Sequence, residues 1–252
     1  MAMMQEEIFI KSTFDGTEQP SLFYRAKNKR RPLLVGLHTW SFDRFNQIGN
    51  LLPFSEEQDF NLLLPEFRGA NTKSNKNGAL ACGSLAAKTD IKDAIDYILK
   101  TEDVDDSNVF LVGLSGGGHM ALLMAGFIPE YFRAIAAFVP ISDLAKWREQ
   151  NPNYAPHIDH CTGADPKELA LRSPMSYLDV AKNANLKVFH GKYDSCVPVC
   201  QSIEFYTEIS KKYPDSRVFL DVFDGGHQFS LPLFKNWILS QYKKPETTEV
   251  TG

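Results

Sequence analysis

From Pro32 to Val139 the chain alternates short, continuous apolar runs with stretches of helical character, and this alternation limits its fold more than any other feature. The runs are Pro32 to His38, Phe60 to Leu64, Asn108 to Leu114 and Phe132 to Val139. None shows the polar alternation of a strand with one wet face, so each reads as a strand covered on both sides. Between them, Asn46 to Glu57 is weakly helical. Thr89 to Lys100 places Ile91, Ile95 and Ile98 at helical spacing behind a cap at Thr89 or Asp90, and Gly116 to Phe127 forms a further helix. Parallel strands need such crossovers, so the pattern predicts an α/β fold with a mostly parallel sheet and helices on both faces.

Ile8 to Thr13 and Leu22 to Arg25 read as short strands ahead of this unit, and Arg68 to Gly78 as a polar loop. After Val139 the alternation stops. Residues 140 to 185 read as an excursion over the sheet, cap-like from Asp143 to Tyr177. It then resumes with a strand at Leu186 to His190 and a helix at Pro198 to Lys211 with proline in its first turn. A strand at Arg217 to Val222 and a closing helix at Gln228 to Tyr242 complete it, and a polar tail follows Lys243. One α/β domain over residues 1–252 is the simplest organisation, because such units run to this length undivided.

Composition removes several classes of function. With 43% apolar and 23% charged residues the chain can bury a large core, and a formal charge of −4 leaves no basic surface for a phosphate backbone. No nucleic-acid partner is expected. No apolar stretch is long enough for a membrane span, and Glu6 and Glu7 stand where an export signal needs positive charge, so a cytoplasmic location is the default expectation. Cys82, Cys161, Cys196 and Cys200 lack zinc-ligand spacing, and no third ligand accompanies His157 and His160. No metal or other cofactor is expected.

The chemistry gathers in three short segments. Gly113-Leu114-Ser115-Gly116-Gly117 fits G-x-S-x-G between an apolar strand and a helix, the setting in which a serine on a sharp turn becomes an exposed nucleophile. Gly113 and Gly117 leave room for the turn, and the helix start offers N–H groups to a developing oxyanion. Asp194 lies in the loop after the strand ending at His190, and His227 follows the next strand in Gly225-Gly226-His227. Both fall at the sheet edge where open α/β folds place their functional groups, and the order Ser, Asp, His is one of the known orders of the triad.

Together with Leu37-His38-Thr39-Trp40 and Pro65-Glu66-Phe67-Arg68-Gly69, these segments resemble the catalytic domain of the prolyl oligopeptidase family and its free-standing esterase relatives, from about Pro32 to Gln241. The resemblance implies the α/β-hydrolase fold and an oxyanion hole from the backbone N–H groups of Gly116 and Trp40. Relatives usually carry glycine where this chain has Thr39.

Asp143 also follows a strand end and is the second candidate for the acid, although Ile141-Ser142-Asp143-Leu144 equally reads as a helix cap. His119 is expected to pack beneath the site and His38 to buttress the oxyanion loop. The expected function is a serine hydrolase acting on a small-molecule ester. Trp147 and Tyr154 are expected to line the substrate pocket, which suits an acetyl or feruloyl carbohydrate esterase. That no propeller segment precedes the hydrolase pattern favours an esterase over an oligopeptidase. A peptidase of the prolyl oligopeptidase type and a non-catalytic binding protein of the same fold are the alternatives.

Overall fold

The computed structural model describes residues 3–243, so the tail beyond lies outside the described residues. Eight strands form one sheet: β1 (Met4–Lys11), β2 (Glu18–Arg25), β3 (Arg31–Leu37), β4 (Asn61–Pro65), β5 (Val104–Leu114), β6 (Ala134–Phe138), β7 (Leu186–Gly191) and β8 (Val218–Phe223), in the order β1-β2-β4-β3-β5-β6-β7-β8. The hairpin β1–β2 is antiparallel, β2 joins β4 antiparallel, and all remaining pairs are parallel. This is the α/β-hydrolase arrangement.

The double covering follows from the pleat, since successive strand residues face opposite sides. Leu33, Val35 and Leu37 of β3 and Val109 and Leu111 of β5 join a core on one face with Ile91 and Ile95 of α2 (Leu85–Thr101), Met120 and Leu123 of α3 (Gly116–Ala125) and Phe205 of α8 (Cys200–Lys212). Leu34, Phe110 and Val112 point the other way, against Leu51 and Phe54 of α1 (Ile48–Gln58) and Phe234 and Ile238 of α9 (Leu231–Gln241). A side chain buried on either face contributes roughly 1.5–3 kcal/mol.

Helix α2 corrects the sequence reading. It starts at Leu85 behind Ser84, whose Oγ accepts from Ala87 N at 3.1 Å. Thr89 and Asp90 lie inside the helix. Asp90 is no cap: it is buried and accepts from Ser12 Oγ and Arg68 Nε, both at 2.5 Å. Pro198 likewise stands two residues ahead of α8 rather than in its first turn.

The excursion holds four short helices: α4 (Leu144–Gln150), α5 (Ala155–Thr162), α6 (Pro166–Leu171) and α7 (Leu178–Ala181). It encloses a third apolar cluster that includes Trp40, Trp147, Ile158 and Val197. No helix is long and apolar enough to cross a membrane among the described residues.

Candidate active site

Strand register assembles the site. Leu37 pairs with Gly113, Leu114 with Phe138 and Gly191 with Phe223, so the strands end in step at one edge of the sheet. Trp40, Ser115, Asp194 and His227 each follow within four residues of such an end.

Ser115 has φ 58° and ψ −116°, a conformation that costs a non-glycine residue about 1–3 kcal/mol. Its surroundings hold it there: Ser115 N donates to Phe138 O at 2.9 Å, and Ser115 O accepts from His119 N at 2.8 Å. The next residue must lack a side chain, since a Cβ on Gly116 would stand 2.5 Å from Trp40 N. Gly116 thus packs directly against the Trp40 backbone, and the N–H groups of Gly116 and Trp40 have no acceptor among the described residues.

The loop from His38 to Trp40 tolerates Thr39 because the φ of Thr39 lies outside the left-handed region. Thr39 N donates to Asn46 Oδ1 at 3.1 Å and Trp40 O accepts from Asn71 N at 2.7 Å. His38 buttresses the turn as expected: its ring stacks on Phe67 at 3.9 Å, with its nitrogens 2.9 Å from Thr39 O and 2.8 Å from Glu66 O. Burial pulls its pKa below the ordinary imidazole value.

Asp194 and His227 meet because their loops touch. A Cβ on Gly191 would fall 2.1 Å from Gly226 O, and Tyr193 N donates to Gly225 O at 2.8 Å. His227 Nδ1 donates to Asp194 Oδ2 at 2.7 Å, while Asp194 Oδ1 accepts from Cys196 N at 2.8 Å and Val197 N at 2.9 Å. The Asp194 side chain is 0% exposed and the His227 imidazole 27% exposed, so solvent reaches the imidazole but not the carboxylate. Burial alone would raise the pKa of Asp194. Hydrogen bonds from His190, His227 and Val197 N outweigh it and hold the carboxyl well below the usual carboxylate range.

The segment carrying His227 turns back across the sheet. Phe229 packs on Phe138 with ring centroids 4.8 Å apart, and Phe138 is the residue whose carbonyl holds Ser115 N. His227 Nε2 has no protein partner among the described residues, and no hydrogen bond joins it to Ser115 Oγ. Serine hydrolases without substrate often show this contact long or unformed.

The remaining candidates separate. Asp143 caps α4, accepting from Lys146 N at 3.0 Å. His119 is buried one turn after Ser115 with Nε2 2.7 Å from Arg172 O, and burial takes its pKa down to about 4. His157 Nδ1 accepts from Lys73 N, and His160 Nε2 approaches Asn75 O, so both tie α5 to the loop after β4. No group of three potential metal ligands occurs among the described residues. Trp147 is a correction: it is 0% exposed, meets Trp40 edge-on at 4.9 Å and donates through Nε1 to Cys196 O. It has no face left for a ligand. Tyr154 is half-buried in the same cluster, 4.8 Å from Trp147. The sequence reading missed His190, whose Nε2 lies 2.9 Å from Val197 O and 3.5 Å from Asp194 Oδ2, bracing the Asp194 loop from inside.

Comparison with known proteins matches residues 47–242 to the prolyl oligopeptidase family. The chain is 27% identical over 175 residues to the human acylamino-acid-releasing enzyme, covering 64% of this chain and 24% of that protein. It is 32% identical over 91 residues to an acetyl esterase of Xylanibacter ruminicola, covering 36% of this chain and 20% of the other. The solved acylaminoacyl peptidase of Pyrococcus horikoshii superposes with a TM-score of 0.79 at 19% identity, over 98% of this chain and 43% of that one. The chain therefore spans about a quarter of these curated relatives.

Proposed function

The chain belongs to the prolyl oligopeptidase family of serine hydrolases, and from that premise we propose that it cleaves carboxylic esters with Ser115 as nucleophile, His227 as general base and Asp194 as the acid that orients the base. The observation that carries this reading is the Asp194–His227 hydrogen bond, which commits Nδ1 and leaves Nε2 without a partner among the described residues, at the same sheet edge as the strained serine. In that tautomer Nε2 takes the Ser115 proton, the alkoxide attacks the ester carbonyl, and His227 returns the proton to the leaving alcohol. Water then repeats the sequence on the acyl-enzyme. The N–H groups of Gly116 and Trp40 hold the oxyanion, each contributing on the order of 3 kcal/mol.

Chemistry favours an ester as the substrate class. An alkoxide leaves more readily than an amine, so a triad competent for amides also cleaves activated esters, whereas amide cleavage adds the requirement that His227 protonate a poor leaving group. A small acyl group such as acetyl fits the acetyl esterase relative. Of the two aromatics expected to support a feruloyl group, Trp147 is enclosed and Tyr154 is half-buried. Aminoacyl substrates form the second reading, favoured by the likeness to acylamino-acid-releasing enzymes. A panel of acyl nitrophenyl esters beside aminoacyl and acylaminoacyl anilides tests the choice. Faster turnover of short-chain esters is expected, and a higher kcat/KM on any anilide would reverse the assignment. Labelling by a fluorophosphonate probe, abolished in Ser115→Ala, is expected of an enzyme and not of a binding protein.

A further inference from the structure

Away from the serine, the start of α2 carries a charge that nothing neutralises. Lys88 stands one turn into this 17-residue helix, is 6% exposed, and has no carboxylate within ion-pair distance among the described residues. Its ammonium lies over the rings of Tyr177 at 4.9 Å and Phe127 at 5.4 Å. A helix N-terminus is already the positive end of the macrodipole, so a cation there is disfavoured. Ser84 serves the N–H groups of Ala87 and Lys88, while those of Leu85 and Ala86 have no protein acceptor among the described residues. Burial, with Arg172 nearby, lowers the Lys88 pKa from its ordinary value.

A cavity of about 360 Å³ opens at this point, with Lys88, Leu85 and Ala86 in its wall. Phe14, Leu85 and Leu171 give it an exposed apolar rim. The other charges in the wall are Arg172 and Glu168, which pair at 2.8 Å, and Arg172 also donates to Ala79 O and Ala81 O. Two cations and one anion leave the wall with a single uncompensated positive charge.

We propose that this cavity binds a small monocarboxylate bearing an apolar group, the carboxylate held by Lys88 and the first turn of α2 and the tail by Leu85, Leu171 and Phe14. One negative charge neutralises the wall, and a carboxylate accepts from both the ammonium and the helix N–H groups. A neutral analogue forfeits both gains. None of Ser115, Asp194 and His227 lines this cavity; its wall approaches their surroundings at His119, whose Nε2 donates to Arg172 O and whose ring lies against Gly83.

Calorimetric titration with octanoate and with phenylacetate tests this, using 1-octanol and 2-phenylethanol as neutral controls. Saturable one-site binding of at least one acid is expected, with no comparable binding of its alcohol. Lys88→Met removes the anchor. Leu85→Glu places a carboxylate at the exposed first position of α2, where helices favour one, and so competes for the site without threatening the fold. Each substitution is expected to weaken binding at least tenfold while ester turnover stays within twofold of the parent. Absence of binding by both acids, equal binding of the alcohols, or retained affinity in either variant would overturn the proposal.

Discussion

The strand-end edge of the sheet and the excursion after β6 both bury polar and aromatic side chains, yet they differ in what they leave unspent. In the excursion side chains close on neighbours: Ser142 Oγ donates to Gln201 O at 2.7 Å, Ser173 Oγ accepts from Leu144 N at 2.9 Å, and Arg148 meets Asp159 at 2.5 Å. At the edge, which also holds the strained Ser115, His227 Nε2 and the N–H groups of Gly116 and Trp40 stay without protein partners among the described residues. Buried polar groups are almost always satisfied. Donors and acceptors that converge unpaired near solvent are therefore the more informative sign of chemistry, whereas a tight network marks packing.

The most severe way to break this contrast is at the serine. Ser115→Ala is expected to remove ester hydrolysis while leaving the melting temperature unchanged or slightly higher, since alanine loses only a hydroxyl. Turnover above a few percent of the parent rate would remove Ser115 from its role. Asp194→Asn comes next. The amide cannot hold the same tautomer, and the best-studied triad loses roughly 10⁴-fold in kcat from this change. Steady-state kinetics on one short ester checks both, and a loss under tenfold in Asp194→Asn would point to another acid.

Trp147→Ala probes the opposite side of the comparison. Deleting this enclosed side chain is expected to cost about 3–5 kcal/mol of stability. Because the ring supports Trp40 at 4.9 Å, kcat/KM should fall by a similar factor for acetyl and feruloyl esters. A loss confined to the bulky ester would restore Trp147 to the substrate pocket. Melting curves and kcat/KM on both esters distinguish the outcomes.

What could be read from sequence follows the same division. The strands were legible because β3 to β7 are covered on both faces and so leave unbroken apolar runs. The sharp turn at Ser115 and the strand-end loops that bring Asp194 to His227 were legible because such turns demand particular residues at fixed positions. Trp147 was misread for lack of such a rule: an aromatic residue in a loop-rich segment looks the same whether it lines a pocket or fills one, and only its contacts with Trp40 and Tyr154 decide. The start of α2 was placed late because Leu85, Ala86 and Ala87 follow a serine among glycine and cysteine, and the isoleucine periodicity begins only at Ile91. His190 was hidden as the last residue of an apolar strand, where its bracing of Val197 and Asp194 depends on a loop folding back.

The smallest effect belongs to Asp143, and its smallness is the point. It follows β6 at a strand end as Asp194 follows β7, so sequence position alone leaves both open as the acid. Their surroundings do not. Asp143 is half-buried and spends its carboxylate on Lys146 N, the bond of a helix cap, while Asp194 is shielded and faces an imidazole. Asparagine caps a helix about as well as aspartate, so Asp143→Asn should leave both melting temperature and kcat/KM near the parent values. Asp143→Ala removes the cap and should cost about 1 kcal/mol of stability, still with little change in kcat. The pair of substitutions separates charge from capping. If Asp143→Asn lowered kcat by orders of magnitude while Asp194→Asn did not, the acid would sit after β6, and the hydrogen bond between Asp194 and His227 would be a structural brace.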